Sequence, residues 1–274
     1  MITQNRKVLL EEKARIIRKN VIEMTWRAQS GHPGGSLSLA EIMSVLYFEK
    51  INFDPQNPDW PERDRVIVSK GHAAPVWYAT LAEVGVFDHQ ELWKLRQIDA
   101  LLEGHPCIHI PGIEATTGSL GLGLSAGCGM ALAAKMKKMN KVRIYVILGD
   151  GELGEGQVWE AAMAASHFKL NNITAILDLN GYQNDGATQD ILNLGSYFDK
   201  WKSFGWNTIN IDGHNIDQLV SAFDLGSECK DKPTMIIANT IKGCGASYLI
   251  DKPELHYSPP SDEQRNMALK ELGF

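Results

Sequence analysis

The stretch of residues 141–183 constrains the fold more than any other part of this sequence. It contains two mostly apolar runs, residues 142–148 and 173–179, and the segment between them has apolar residues at three- and four-residue spacings. Runs of this length are typical of strands buried on both faces, and the spacing is typical of a helix. The stretch therefore predicts a βαβ unit, whose crossover helix makes the two strands parallel.

A polar side chain follows each of these predicted strands. Asp150 lies between two glycines after the first strand, and Asn180 comes directly after the second. Because parallel strands end at the same edge of the sheet, both residues should lie where open α/β sheets bind ligands. Carboxylate and amide oxygens suit Mg²⁺ or Ca²⁺, and such a cation can join the chain to a diphosphate at a helix N-terminus. We therefore predict a cation and diphosphate site at this edge.

Two other interpretations of the same residues remain open. Residues 149–154, GDGELG, match the GxGxxG fingerprint of dinucleotide-binding folds, with Asp178 as a candidate ribose ligand. Against this, three carboxylates would face the pyrophosphate and repel it: Asp150, Glu152 and Glu155. Only a bound cation would turn this electrostatic repulsion into attraction. The third interpretation is an acidic helix start that is solvated and stabilised by the helix dipole.

Composition excludes several classes of protein. The chain has 274 residues, enough for one large α/β domain or two small ones, and its net charge of −6 provides no basic surface for nucleic acid. Its four cysteines lie far apart, without metal-ligand spacing. The N-terminus lacks the apolar core of a signal peptide, and residues 121–134 are too few to cross a bilayer. We therefore expect a cytoplasmic protein that binds neither nucleic acid nor membrane.

Periodicity outside the central unit predicts three further strands and a series of helices. The strands are residues 65–69, 206–211 and 233–240, and the helices are residues 5–29, 39–48, 73–84, 90–96, 124–138, 194–203, 215–225 and 262–272. Ser38 and Glu41 resemble a capping box, and Asn215 is a predicted N-cap. We expect an α/β fold, a doubly wound, mostly parallel sheet of about five strands with flanking helices. We expect residues 1–274 to form a single domain in which residues 1–100 mainly supply flanking helices.

Four of the eight histidines lie in loops or at element boundaries rich in glycine or proline: His32, His72, His105 and His256. A single loop histidine is by default a partly exposed polar residue, but four near a predicted anion site point to function. Residues 116–123 are also rich in glycine, which lets backbone approach a flat ligand closely. The small residues of the helix at 124–138 are explained equally well by tight packing.

Residues 149–151 and Asn180, with 28 residues between Gly151 and Asn180, resemble the thiamine diphosphate motif of thiamine-dependent enzymes. The longer string GDGELGEGQVWEA is similar to transketolase. In that family the aspartate, the asparagine side chain and a backbone carbonyl two residues later bind the metal. The resemblance implies that Asp150, Asn180 and Tyr182 hold Mg²⁺ (or Ca²⁺) and that the cofactor is thiamine diphosphate.

The resemblance continues along the chain in the order of the family. Residues 30–34 and 104–106 resemble substrate-histidine loops, and residues 69–73 resemble a diphosphate-contacting segment. Residues 117–121 resemble the backbone that lies against the thiamine rings. Residues 242–243 with His256 resemble a loop that closes over the substrate. Two positions depart from the family, because Gly35 replaces a side chain found in some relatives and Tyr257 replaces a frequent glycine.

By this resemblance, the catalytic residues would be His32, His105 and His256. The implied cofactor contacts are His72, Gly118, Leu120, Gly151, Glu155, Asn180, Lys242 and His256. Of the cofactor contacts, Glu155 matches a family glutamate that reaches toward the dimer-related site. The three catalytic histidines would bind substrate hydroxyls and move protons, since an ordinary histidine has a pKa of about 6.5.

Typical transketolases continue through two further domains, one of which binds the pyrimidine ring of the cofactor. The resemblance therefore implies a split transketolase, in which this chain joins a C-terminal subunit carrying the pyrimidine-binding domain, in an α₂β₂ assembly. Such an enzyme moves a two-carbon ketol unit from a ketose phosphate to an aldose phosphate. The alternatives are a deoxyxylulose-phosphate synthase-like enzyme, a 2-oxoacid dehydrogenase component, an NAD-binding oxidoreductase and a non-catalytic binding subunit.

Overall fold

A computed structural model describes residues 2–274 and contains one five-stranded sheet. The strands are β1 (Arg65–Val68), β2 (Ile144–Gly149), β3 (Ile173–Leu179), β4 (Asn207–Asp212) and β5 (Thr234–Asn239). They lie in the order β1-β2-β3-β5-β4, and all neighbours are parallel. The predicted βαβ unit is confirmed, because β2 pairs with β3 and places Gly149 opposite Asp178.

Ten α-helices occur within residues 2–274. They are α1 (Gln4–Ala28), α2 (Pro33–Leu37), α3 (Ala40–Val45), α4 (Ala74–Val84), α5 (Leu122–Met136), α6 (Gly156–His167), α7 (Thr188–Ile191), α8 (Tyr197–Ser203), α9 (Ile216–Glu228) and α10 (Asp262–Glu271). A π-helical turn, Leu46–Lys50, extends α3. Across the described residues, none of these helices is both long enough and apolar enough to cross a membrane.

The sheet is buried on both faces, and its side chains divide between two apolar cores. Along β2, Ile144, Val146 and Leu148 point into one core, whereas Tyr145 and Ile147 point into the other. The first core is closed by α5, α6 and α8, and the second by α1, α3, α4 and α9. This explains why the strands read as continuous apolar runs, since each alternate side chain has its own covering layer. The predicted fold class is confirmed.

The segment after α1 differs from the prediction. The expected loop at residues 30–34 becomes helical at Pro33, because the fixed φ of proline suits the first position of a helix. The predicted capping box of Ser38 and Glu41 is wrong: α3 has Leu39 at its N-cap, with no side-chain cap. Both side chains have stronger distant partners, since Ser38 donates to Asp178 and Glu41 pairs with Arg18. Local spacing alone does not reveal such partners.

Two other expectations about helices have different outcomes. The predicted N-cap is confirmed, because Asn215 Oδ1 accepts a hydrogen bond from the Gln218 amide at 3.1 Å. The helix predicted at residues 90–96 is instead a 3₁₀ helix, His89–Lys94, capped by Asp88.

The packing of α5 on the sheet gives a test of the fold. A Cβ added at Gly127 would lie 2.5 Å from Val146 Cγ2, whereas one at Gly129 would meet no atom within 4 Å. We expect Gly127→Ala to lower the free energy of unfolding by about 1–3 kcal/mol through overpacking. Gly129→Ala should raise it by up to about 1 kcal/mol through helix propensity. Urea denaturation of both variants measures the difference, and equal midpoints would contradict this packing.

Candidate functional site

The carboxyl ends of β1, β2, β3 and β5 surround a cavity of about 430 Å³. All twelve residues for which a site role is predicted line this cavity. They are His32, His72, His105, Gly118, Leu120, Asp150, Gly151, Glu155, Asn180, Tyr182, Lys242 and His256. Segments far apart in the sequence are therefore brought together at one edge of the sheet, while the role of each residue stays a prediction.

Other residues of the cavity were not predicted as site residues. They are Gly35, Lys70, Gly149, Glu152, Gln183 and Asn184. Lys70 precedes a predicted diphosphate-contacting histidine, and Glu152 lies inside the GDGELG string, so proximity in sequence was an available signal for both. Gln183 and Asn184 carry no such signal, because they reach the cavity through the path of the loop that follows β3.

Asp150 is the buried acid at the tip of β2. Its carboxylate is 2% exposed and accepts hydrogen bonds from the amides of Gly151 at 3.0 Å and Gly181 at 2.7 Å. Burial, and after it the negative charge of Asp178, raises the pKa of Asp150 to about 7. A buried carboxylate that is disfavoured in this way gains stability from a cation, because a positive charge at close range favours the ionised form.

Asp178, at the end of β3, is fully buried and receives four donors. Lys70 Nζ and Thr240 Oγ1 donate to it, as do Ser38 Oγ at 2.7 Å and Asn180 Nδ2 at 2.9 Å. Burial alone would raise its pKa, but the Lys70 ammonium and these hydrogen bonds hold the pKa of Asp178 below its usual range. Its oxygens are thus occupied inside the protein, which removes the ribose ligand that the dinucleotide interpretation requires.

Asn180 is oriented by this arrangement. Because its Nδ2 donates to Asp178, its Oδ1 points the other way and accepts from the Tyr182 amide at 3.1 Å. An amide oxygen retains a second lone pair when it accepts one hydrogen bond. Asp150 and Asn180 therefore present oxygen donors on neighbouring strand tips, which is the donor type that a divalent cation such as Mg²⁺ takes.

Glu152 connects the tip of β2 to the glycine-rich loop before α5. It is 2% exposed and accepts from the Gly121 amide at 2.8 Å, the Gly149 amide at 3.1 Å and the Ser69 hydroxyl. All three donors belong to the protein, so Glu152 does not face a ligand as a free charge. It is therefore not one of the carboxylates that would repel a pyrophosphate, as the sequence suggested, and it holds the loop instead.

Two glycines lie so close to neighbouring residues that a side chain would not fit. A Cβ at Gly118, whose φ is +150°, would lie 2.9 Å from His105 Cδ2. A Cβ at Gly151 would lie 2.6 Å from Gln183 Cβ. Both glycines line the cavity, so their missing side chains allow backbone to border the space directly.

Three histidines form a cluster at one end of the cavity. The ring centroids of His32, His72 and His256 lie 5.1 to 5.3 Å apart, and Lys242 Nζ lies 3.0 Å from His256 Nδ1. Burial, followed by neighbouring positive groups, lowers the pKa of His32 to about 3 and that of His256 to about 4. The imidazoles of His32 and His256 therefore stay neutral even at mildly acidic pH, where an ordinary histidine would be protonated.

The pKa values of His72 and His105 are lowered as well. Burial and the Lys70 ammonium hold the pKa of His72 well below its ordinary value, and burial with the Arg96 guanidinium lowers that of His105. Lys242 is also affected, because burial and Lys70 lower its pKa to about 8. The two lysines give this end of the cavity a positive potential that favours an anion.

His214 is typical of a turn residue in the sequence, and the structure gives it a positioning role. Its Nδ1 lies 2.9 Å from Glu41 Oε2, and its Nε2 accepts from the Ile241 amide at 2.9 Å. Glu41 is in turn held by Arg18 through bonds of 2.5 and 2.6 Å. This chain of contacts fixes the backbone next to Lys242.

Comparison with protein families matches residues 10–274 to the family described as "Transketolase, thiamine diphosphate binding domain". Among curated proteins, the chain is 45% identical over 264 residues to the "6-deoxy-6-sulfo-D-fructose transketolase subunit SqwG" of Clostridium sp. (strain MSTE9), with 96% of both chains covered. It is 39% identical to an apulose-4-phosphate transketolase subunit of Phocaeicola vulgatus, covering 96% of this chain and 93% of the relative.

Solved structures show the same fold. The transketolase of Campylobacter jejuni superposes with a TM-score of 0.92 at 32% identity. The match covers 100% of this chain and 43% of that enzyme, so the chain spans less than half the length of this relative.

The ion pair of Lys70 and Asp178 gives a test of the site's framework, since its side chains are only 3% and 0% exposed. Asp178→Asn would leave a buried ammonium without an anion, so we expect a loss of about 3–5 kcal/mol in the free energy of unfolding. The exposed Asp185→Asn variant is the control and should lose little. Adding Lys70→Met to Asp178→Asn should recover part of the loss, and urea denaturation of the single and double variants measures it. Strict additivity of the two substitutions would contradict the pairing.

Proposed function

Because this chain belongs to the transketolase family and carries its thiamine diphosphate binding domain, we propose that it is the N-terminal subunit of a split transketolase. The assembled enzyme transfers a two-carbon ketol unit from a ketose phosphate to an aldose phosphate. The observation that carries the proposal is the pair of oxygen donors, buried Asp150 and half-buried Asn180, in a cavity that Lys70 and Lys242 also line. A cation between them would join the protein to the diphosphate of the cofactor.

A partner subunit is part of the proposal. Two relatives covered along 93% or more of their length are themselves named as transketolase subunits. In the proposed assembly, of α₂β₂ type, the partner supplies the pyrimidine-binding domain. The names of these relatives refer to a sulfonated fructose and to apulose 4-phosphate. We accordingly expect a phosphorylated or sulfonated ketose as donor, in a reducing cytoplasm that keeps the four cysteines as free thiols.

The residues of the cavity fit thiamine diphosphate and a divalent cation. Asp150 is a buried carboxylate whose pKa is raised, Gly118 and Gly151 leave backbone open to the cavity, and His32 Nδ1 is buried without a hydrogen-bond partner among residues 2–274. Asp150, Asn180 and the Tyr182 carbonyl would hold Mg²⁺ (or Ca²⁺). His72, Gly118, Leu120, Gly151, Glu155, Asn180, Lys242 and His256 would contact the cofactor.

The cofactor contributes a carbon nucleophile and an electron sink for the two-carbon unit. The chain's own groups bind, orient and move protons. Lys70 and Lys242 supply positive charge for the diphosphate, while Asp178 keeps Lys70 and Asn180 in place. His32, His105 and His256 are neutral and can each donate one hydrogen bond and accept another, which suits the recognition of sugar hydroxyls. The Lys242 ammonium beside His256 Nδ1 keeps that nitrogen an acceptor.

The main rival is another thiamine-dependent reaction, that of a deoxyxylulose-phosphate synthase-like enzyme or a 2-oxoacid dehydrogenase component. These enzymes consume a 2-oxoacid such as pyruvate, whereas ketol transfer does not. The NAD-binding alternative loses support because Asp178 is buried and saturated by protein donors.

Reconstitution with the proposed partner subunit tests the function. We expect Asp150→Ala to abolish Mg²⁺-dependent binding of thiamine diphosphate in calorimetry and to abolish ketol transfer, because the variant removes the buried oxygen ligand. The exposed Asp190→Ala variant should behave like the wild type. Unchanged cofactor affinity in Asp150→Ala would refute the metal assignment, and pyruvate consumption without ketol transfer would favour the rival reaction.

The raised pKa of Asp150 predicts how cation binding depends on pH. The pKa of Asp150 is about 7, so at lower pH the folded protein holds a proton on this carboxylate, and a cation must displace that proton. Affinity for Mg²⁺ should therefore fall with decreasing pH, by about tenfold between pH 8 and pH 6. In the free protein His32 and His256 stay neutral across this window, because their pKa values are about 3 and 4, whereas Lys242, with a pKa of about 8, loses its proton towards the upper end of it.

Calorimetric titration of the assembled enzyme at several pH values measures this dependence. Titration of thiamine diphosphate with Mg²⁺ in the same buffers, without protein, gives the correction for the cofactor's own protons. An affinity that stays constant from pH 6 to pH 8 after this correction would contradict the role of Asp150.

A further inference from the structure

A second group of metal-ligating side chains lies outside the residues that line the cavity. Glu103, Cys107 and His109 each offer one ligand atom, and these atoms all lie within 4.8 Å of one another. His109 Nε2 is 3.5 Å from Glu103 Oε1, and the two side chains are 50% and 56% exposed. The three residues belong to one short turn of the loop between α4 and α5, so a cation from solvent can reach them.

The backbone of this turn is held in place by the protein. Pro106 and Ile110 are buried, and the Pro106 carbonyl accepts from the Thr117 amide at 3.2 Å. Thr117 Oγ1 in turn donates to the Val68 carbonyl of β1 at 2.7 Å. The loop is therefore tied to the sheet, and the three side chains project from a fixed frame. Little loop entropy would be lost when they close on an ion.

The sulfur of Cys107 is surrounded by donors. The Thr116 hydroxyl accepts from the Ile108 amide at 3.3 Å, so its proton is free to donate to Cys107 Sγ at 3.5 Å. This hydrogen bond, together with others from His109, lowers the pKa of the Cys107 thiol. Hydrogen-bonded thiolates are the form of cysteine that binds metals, and second partners of this kind orient metal ligands.

We propose that Glu103, Cys107 and His109 form a binding site for Zn²⁺, separate from the Asp150 cation site. A thiolate, an imidazole and a carboxylate are ligands that Zn²⁺ takes, whereas Mg²⁺ and Ca²⁺ avoid sulfur and nitrogen. Three protein ligands leave a fourth position for water, as in zinc sites that remain open. The proposal does not depend on the proposed enzymatic function, because it rests on other residues.

Zinc at this site would act on the cavity through the loop. His105 lies between Glu103 and Cys107 in sequence, and its ring lies so close to Gly118 that a Cβ added there would be 2.9 Å from His105 Cδ2. A cation that bridges Glu103 and Cys107 closes the turn that carries His105. Amide hydrogens of residues 104, 105 and 107–109 should therefore exchange more slowly with Zn²⁺ bound.

The test uses the full chain and Co²⁺ as a spectroscopic substitute for Zn²⁺. We expect Co²⁺ to produce a thiolate-to-cobalt charge-transfer band, which one equivalent of Zn²⁺ abolishes. Cys107→Ser should remove the band, and Glu103→Gln and His109→Ala should each weaken Zn²⁺ binding by at least about 10-fold in chelator competition, because outer-shell changes alone cost about 10–100-fold.

Matched variants separate this site from others. Cys229→Ser changes another half-buried cysteine, whose Sγ lies 3.7 Å from Asp231 Oδ1 without a histidine, and should leave the band and the affinity unchanged. Asp150→Ala should also leave the band intact, although it disables the proposed cofactor cation site. Absence of a band in the wild type, its survival in Cys107→Ser, or its loss in Cys229→Ser would overturn the proposal.

Discussion

The buried carboxylate of Asp178 is the interaction on which the site depends. Its donors come from four different parts of the chain: Ser38 before α3, Lys70 after β1, Asn180 after β3 and Thr240 after β5. A buried carboxylate is costly unless it is paired and hydrogen-bonded, so all four parts must be in place together. One ionised group at the end of a central strand thus fixes the relative positions of the segments that form the cavity.

The same ion pair determines what charge remains for a ligand. Lys70 neutralises Asp178, but it leaves Asp150 on the neighbouring strand tip without a partner of opposite charge, and the pKa of Asp150 rises to about 7 as a result of burial and of the Asp178 charge. An acid that needs a cation therefore borders the same cavity as Lys242, an ammonium that can take an anion. A metal diphosphate satisfies both requirements at once, which a nicotinamide dinucleotide without metal does not.

The sequence predicts the parts of the structure that local pattern determines. The βαβ unit of β2, α6 and β3 follows from apolar runs and helical spacing, and it already places Asp150 beside Asn180. Twelve predicted site residues meet in one cavity because loops at the strand ends of a parallel sheet share one edge. What sequence did not reveal is the set of long-range partners. Ser38 fits the local motif of a helix cap, and Asp178 that of a ribose ligand, until the neighbouring strands are known.

The four loop histidines show why the residue types of a site do not determine the pKa values of its side chains. Sequence provides four loop histidines with an ordinary pKa, but burial together with the lysines and Arg96 lowers the pKa of all four. At neutral pH each ring is then a neutral hydrogen-bonding group, and positive charge in the cavity is left to Lys70 and Lys242. When an anionic diphosphate neutralises those lysines, the electrostatic part of the shift weakens and the imidazoles become more basic. In the proposed enzyme, proton transfer by the histidines would thereby be coupled to cofactor binding, because their basicity increases only once the anion is in place.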